Sequence, residues 1–362
     1  MTRIRKIGLA LGVTLVCLEL GARVVDRVEG LSTDNFMPVD PLLSFYEPHP
    51  FLSFTLKPGS SRQAPANAKP GKRFSFHINS LGFRGKEITK AKPDGVTRIL
   101  CVGGSTTYGT GATNDTLTYP ARLERMLNKA APAGRVYEVV NCGTVGYGTA
   151  ENLINLELRL LDLDPDAIIV YHAANDALAL QMSGFKADYS HLRAAWVQSE
   201  PNVLDSFLVR ASRLYAWTTR GRNLAEQAGN LQTHVMKPSI NDDFLDPGMP
   251  LDPDALPTFR RNLTNIAAVT RRAGVELYLS TFATCAAARR EEDKDYVATV
   301  AEENVIIREV AAAEGLPLLD IAAPLTDKRE FFDDWMHLNN KGEKQHALGV
   351  LAEIKRQHLL GF

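Results

Sequence analysis

After Pro93, apolar runs repeatedly end in a glycine-rich or polar loop and give way to segments whose apolar residues recur at helical spacing. TRILCVGG precedes YPARLERMLNKA, RVYEVVNCG precedes ENLINLELRLLDL, and DAIIVYHAAND comes next; VELYLSTF, an Ala/Glu-rich helix around Asp295 to Glu314, and LPLLDI repeat the scheme. Runs that are apolar throughout, rather than at every second residue, need burial on both faces. Five such strands alternating with helices therefore predict an α/β fold with a mostly parallel sheet covered on both sides. Sites in such folds lie just beyond the carboxyl ends of the strands, and the unusual polar clusters of this chain fall at those ends.

Composition agrees. The 362 residues are 45% apolar and 23% charged, which excludes collagenous, mucin-like and wholly disordered chains. A net charge of −1 supplies no field to hold a polyanion, so a nucleic-acid partner is not expected. Cys17, Cys101, Cys142 and Cys285 lack the close pairing of a zinc site or disulfide scaffold, and no structural metal is expected. Cys101 and Cys142 read as small buried side chains, with a disulfide open to them if their strands are neighbours. His49, His77, His172, His191, His234 and His346 have no metal-ligand spacing and read as surface or packing residues.

MTRIRK places Arg3, Arg5 and Lys6 ahead of IGLALGVTLVCLEL, the basic and apolar regions of an export signal. The stretch from Ile7 to Leu18 is shorter than the ~20 residues that span a bilayer comfortably, and Glu19 and Arg23 interrupt it. No small-x-small cleavage site comes after it. Residues 1–30 therefore read as an uncleaved single-pass anchor in the cell membrane, with the rest periplasmic or otherwise extracytoplasmic. A secreted chain after signal cleavage and a buried amphipathic helix are the alternatives. Residues 31–95, dense in Pro, Ser and Gly, read as an extension of turns and brief strands that packs on the domain after it. The α/β domain is 96–362, interrupted at 177–256 by an insertion far longer than an ordinary connection. Its segments HLRAAWV and VLDSFLVRASRLYAWTTRGRNLAEQ are helical candidates, open to capping a site, facing a membrane or packing as a layer.

Four loops carry the chemistry. After the first strand, Gly103 and Gly104 precede Ser105, Thr106 and Thr107. This reads either as a serine presented with its own N–H at a helix start or as a helix-capping turn. A phosphate cradle is weaker, because no Gly-Lys-Ser/Thr is present after it. The second loop, NCGTVGYGT, is so glycine-rich that backbone N–H donors are its natural product. The third, HAAND, offers Asn175 beside Asp176, either as an amide over the same crevice or as an ordinary turn. The fourth, FFDDWMHLNN, sets Asp334 three residues before His337; a helical turn would bring them together, letting the carboxylate orient an imidazole. Asp333 is the neighbouring register, and the D-x-x-H spacing selects Asp334. Trp196, Trp217 and Trp335 are open to stacking on sugars, with core packing the commoner fate.

With these four blocks in order, the chain from about Thr97 to its end, the insertion set aside, resembles the SGNH (GDSL-like) serine hydrolases. The resemblance implies a three-layer α/β/α sandwich on a five-stranded flavodoxin-like sheet. It also implies that Ser105 is a nucleophile, that Asp334 and His337 complete a triad, and that Ser105, Gly146 and Asn175 form an oxyanion hole. INSLGFRG, with Asn79, Gly82 and Arg84, looks like the extension many exported bacterial members carry. The sequence departs from the family pattern at Gly104, where an Asp is usual, and at Ala173, where a Gly is usual and the added methyl would narrow the cleft or alter the turn. The implied function is a cofactor-free serine esterase acting on acyl, foremost acetyl, esters of a small molecule or an envelope or extracellular polysaccharide. An O-acyltransferase with the same triad, or a glycan-binding or assembly protein that has lost turnover, are the competing readings.

Overall fold

The computed structural model describes residues 3–29, 45–47, 49–65, 73–192, 207–208, 211–217, 250–289 and 296–362. The chain forms two compact units, residues 1–44 with 194–238, and residues 45–193 with 239–362.

In the first unit, helix α1 (Arg3–Glu29) carries Ile7, Leu11, Leu15 and Leu18 at least half exposed. Its stretch Arg5–Val25 has a mean hydropathy of 1.8 and is long and apolar enough to cross a membrane. Glu19 and Arg23, which interrupt the apolar run of the sequence, do not end the helix. They lie one helical turn apart and pair at 2.9 Å, so the helix continues through them; 21 residues cover about 30 Å at 1.5 Å per residue. Glu19 also accepts from Ser212 Oγ at 2.8 Å and from the Arg213 and Leu214 N–H groups at 2.9 Å, at the start of the short helix 213–217. HLRAAWV from residue 193 onward, including Trp196, and most of the second helical candidate lie outside the described residues.

The second unit begins with two antiparallel hairpins. Strand β1 (Tyr46–Glu47) pairs with β2 (Thr55–Leu56), and β3 (Ser61–Pro65) with β4 (Arg73–His77). The apolar runs then form one parallel sheet of β5 (Val96–Gly103), β6 (Val136–Asn141), β7 (Ala167–Tyr171), β8 (Glu276–Ser280) and β9 (Leu318–Leu319). Their order is β6-β5-β7-β8-β9, the flavodoxin-like arrangement, and every adjacent pair is parallel. All five residues of β7 are buried, as a strand covered on both faces requires. Helix α3 (Tyr119–Ala130) packs with α8 (Asn340–Arg356) on one face of the sheet. Helices α4 (Thr149–Asn155), α6 (Ala255–Ala273) and α7 (Val297–Glu314) pack together on the other. Helix α2 (Ser105–Tyr108) comes directly after β5, and α5 (Ala174–Leu180) after β7.

Topology places the crevice. From β5 the chain passes to β6 on one side and then to β7 on the other, so the carboxyl end of β5 lies where connections diverge. At the opposite end, Arg98 of β5 is fully buried and ties the extension's exit to the sheet. Its guanidinium bonds Glu138 at 2.6 Å and the carbonyls of Thr89, Lys90 and Leu163 at 2.6–2.9 Å. Cys101 in β5 and Cys142, one residue past the end of the neighbouring β6, are free thiols. Cys101 pairs in register with Asn141, and the Cys142 N–H just beyond it donates to the Cys101 carbonyl at 2.9 Å. Burial pushes the Cys101 thiol up to about 12.

Candidate active site

Three strand ends and one late loop converge on the crevice. Ser105 opens α2 immediately after β5 and is 6% exposed. Close backbone approach explains the glycines around it. A Cβ on Gly103 would lie 2.1 Å from Thr107 Oγ1, and one on Gly143 2.1 Å from the Tyr108 nitrogen, so the second loop lies directly against α2. A Cβ on Gly111 would lie 2.1 Å from the Leu338 carbonyl, so the chain leaving α2 runs directly against the loop that carries His337.

Ser105 Oγ is 2.8 Å from His337 Nε2, and His337 Nδ1 is 2.7 Å from Asp334 Oδ2. A carboxylate only accepts, so Nδ1 carries the proton and Nε2 is left as an acceptor for the serine hydroxyl. Burial works to raise the Asp334 carboxyl. The bond and charge of His337, with the N–H groups of His337 and Met336, outweigh it and hold the group down at about 2. The i,i+3 approach of Asp334 and His337 is not the helical turn that the spacing alone predicts. Asp334 Oδ1 accepts the Met336 N–H at 3.0 Å and the His337 N–H at 2.8 Å, forming a side-chain-closed turn. The Asp333 N–H to His337 carbonyl bond, 2.8 Å, and the Phe332–Leu338 bridge close its base. Trp335, inside that turn, is 5% exposed and packs on Tyr296 with ring centroids 5.5 Å apart. Asn339 caps α8 directly afterwards, accepting from Lys341 and Gly342.

Gly146 sits in the second loop at φ +83°, the left-handed region where glycine carries no side-chain penalty. The next residue, Tyr147, accepts the Asn175 side-chain amide at 2.8 Å through its carbonyl, while its hydroxyl bonds the Phe54 carbonyl of the extension. Asn175 is thereby drawn over Gly104, where a Cβ would lie 2.4 Å from Asn175 Nδ2. The departure from Asp at this position leaves the space that amide fills. Ala173, the other departure, has φ −178° and is fully buried; the position lies outside the positive-φ region that favours glycine.

Asp176 is more than a turn residue. Its carboxylate accepts the Thr149 N–H and hydroxyl at 3.0 and 2.6 Å and the Tyr189 hydroxyl at 3.0 Å, tying α5 to the start of α4. Burial raises it to about 6 against these bonds. Burial lowers its neighbour His172 to about 4, so that imidazole is neutral and bonds Asn152 at 2.6 Å. Among the described residues no group of three His, Cys, Asp or Glu side chains is placed to hold a metal ion. The sequence carried no signal for the Asp176 tie, because Asn-Asp after a strand is compatible with an ordinary cap.

The family model described as GDSL-like lipase/acylhydrolase matches residues 101–345. Among solved structures, the chain is similar to a lipase/acylhydrolase from Enterococcus faecalis, at 17% identity over 72% of this chain and 96% of that one, with a TM-score of 0.43. It is similar to an α/β hydrolase from the metagenome of Lake Arreo, at 15% identity over 72% and 95%, with a TM-score of 0.44. An acetylxylan esterase from Geobacillus stearothermophilus matches at 14% identity over 71% and 94%, with a TM-score of 0.42. No curated protein matches the chain.

Proposed function

Because the chain belongs to the GDSL-like lipase/acylhydrolase family and is an ester-hydrolysing enzyme, we propose that it works by two-step acyl transfer through Ser105, with His337 as general base and Asp334 as its orienting carboxylate. The observation that carries this reading is the continuous relay from Ser105 Oγ to His337 Nε2, and from His337 Nδ1 to Asp334, at 2.8 and 2.7 Å. As Oγ bonds the ester carbonyl carbon, its proton passes to His337 Nε2. The alcohol leaves with that proton. Water then attacks the acyl-serine, gives a proton to His337, and Ser105 recovers it as the carboxylic acid departs.

The tetrahedral oxyanion is held by the N–H groups of Ser105 and Gly146 and the Asn175 amide. The bond from Asn175 to the Tyr147 carbonyl supports this role, since it uses one amide hydrogen and presets the other. Gly104→Ala is then expected to lower kcat by about 10²- to 10³-fold, the cost of one oxyanion donor, because the methyl displaces Asn175. A kcat within twofold of wild type on a nitrophenyl ester would remove Asn175 from the oxyanion hole.

In this reading residues 1–30 anchor the chain in a membrane, 31–95 are the extension, and 96–362 carry catalysis around the 177–256 insertion. The substrate is a short acyl, foremost acetyl, ester on an extracytoplasmic polysaccharide. The Arg5–Val25 helix and its leading basic residues support the address, and the low exposure of Ser105, 6%, is the observation offered for a short acyl group. The test is full-length, detergent-solubilised enzyme on nitrophenyl esters from acetyl to octanoyl. Turnover highest on acetyl is expected. A maximum at octanoyl overturns the short-acyl assignment, and absence of both turnover and phosphonate labelling in folded protein overturns the esterase mechanism. Acetyl transfer to an added sugar in preference to water would make the second step that of an O-acyltransferase.

A further inference from the structure

The INSLGFRG segment of the extension folds into a turn that delivers one side chain to the back of the serine. Asn79 Oδ1 accepts the Leu81 and Phe83 N–H groups at 3.1 and 2.9 Å, and its Nδ2 donates to the Lys86 carbonyl at 2.9 Å. Gly82 completes the turn at φ +84°. The segment crosses back on itself at the Ile78–Arg84 bridge, and Arg84 in turn bridges Asn141 at the end of β6. Asn79 and Gly82 thus shape a rigid bracket, and Arg84 is the residue it presents, 4% exposed.

The Arg84 guanidinium meets four acceptors. Nε donates to Asp115 Oδ1 at 2.8 Å, Nη1 to the carbonyls of Gly109 at 2.7 Å and Tyr108 at 3.0 Å, and Nη2 to the Ala112 carbonyl at 3.4 Å. The cation also lies 4.7 Å from the Tyr108 ring centroid and 5.6 Å from that of Phe76. Helix α2 has only four residues, so its last carbonyls have no helical partner and face outward as acceptors. Arg84 caps them with a planar set of donors and a positive charge.

The capped segment lies between the two halves of the relay. Residues 108–112 lead from Ser105 to Gly111, which abuts the Leu338 carbonyl next to His337. The Tyr108 carbonyl is shared with Asn141 Nδ2 at 3.2 Å, and Asn141 Oδ1 accepts the Gly143 N–H at 3.1 Å at the start of the Gly146 loop. Arg84 therefore touches, directly or through one shared acceptor, the serine turn, its contact with the histidine loop and the glycine-rich loop.

We infer that Arg84 is a positioning residue for ester hydrolysis, which makes the extension a working part of the active site; this inference rests on the proposed esterase function. It sets the distance between Ser105 and His337 without touching substrate. Lysine retains the charge but cannot reach the Tyr108, Gly109 and Ala112 carbonyls and Asp115 together. Misplacement of reacting groups by about 1 Å costs up to about 10²-fold in rate.

The experiment compares full-length wild type, Arg84→Lys and Asp115→Asn by melting temperature, kcat and KM on nitrophenyl acetate, and hydrogen exchange of the peptide covering 103–112. Arg84→Lys is expected to fold, to lose about 10- to 100-fold in kcat with KM within about twofold, and to exchange faster in 103–112 than elsewhere. Wild-type kcat, or exchange raised evenly over the whole chain, would overturn the inference by leaving Arg84 a general stabiliser. Should Arg84→Lys not fold, Asp115→Asn decides: a several-fold drop in kcat at unchanged KM supports the tie, and wild-type kcat refutes it. A wild type without turnover or phosphonate labelling ends the esterase reading separately. Exchange in 103–112 needs no substrate and still tells whether Arg84 holds that turn.

Discussion

Ser105→Ala is expected to lower ester turnover by about 10⁶-fold while the melting temperature changes little. The fold is spared because the side chain makes a single hydrogen bond, to His337 Nε2, whereas the turn is held by backbone. The N–H groups of Gly109 and Thr110 donate to the Ser105 carbonyl at 2.9 and 3.1 Å, and that carbonyl survives the substitution. Losing one partly buried hydrogen bond costs about 1 kcal/mol, and alanine suits a helix start at least as well. His337→Ala should cost a similar amount, and the double variant no more than either single one, because the two residues act as a unit. Nitrophenyl acetate hydrolysis and labelling by a serine-directed phosphonate measure the effect. Turnover in Ser105→Ala at a tenth of the wild-type rate would assign the reaction to another nucleophile.

Asp334→Asn is expected to cost about 10⁴-fold in kcat with the loop intact, the scale associated with a misoriented catalytic imidazole. The geometry dictates which way the amide turns. Asp334 Oδ1 accepts two backbone N–H groups, from Met336 and His337, so asparagine must keep its oxygen there and present its NH₂ to His337 Nδ1. Nδ1 then becomes an acceptor, Nε2 carries the proton, and the imidazole faces Ser105 in the wrong tautomer. Single-turnover acylation on nitrophenyl acetate is the measurement, and a kcat within tenfold of wild type would show that the carboxylate does not set the tautomer. The pH dependence has a defined sign. The Asp334 carboxyl is held at about 2 in the folded chain, below its ordinary value of about 3.9. Its contribution to stability is complete above about pH 4 and is lost as pH falls through about 2. Wild type should lose that contribution in this window and Asp334→Asn should not, as acid titrations of melting temperature would read.

Much of the architecture is legible in the chain because its signals are local. Apolar throughout, short and rich in β-branched residues, AIIVY reads as a strand buried on both faces, and it becomes β7. Loops of unusual composition fall at strand ends, and Ser105, Gly146, Asn175, Asp334 and His337 are the residues those loops bring to one crevice. Other features arise from contacts no local pattern encodes. D-x-x-H spacing predicts a helical turn, but the Asp334 side chain satisfies its own loop's N–H groups and closes a different one. Cys101 lies within β5 and Cys142 one residue past β6, yet both remain free thiols, which no local pattern decides.

By itself, the sequence determined which apolar runs form the central sheet, which loops gather glycines and polar side chains at strand ends, and which helix is apolar enough to meet a membrane, because burial and backbone chemistry are properties of each short stretch. Tertiary structure alone decided that Ser105 and His337, 232 positions apart, meet at 2.8 Å, that Gly104 makes room for the Asn175 amide, and that Arg84 of the extension grips the serine turn. The physical reason is that these distances are set where distant backbones press together, at Gly111 against Leu338 and Gly143 against Tyr108, and such approaches exist only once the sheet has brought its loops to a common edge.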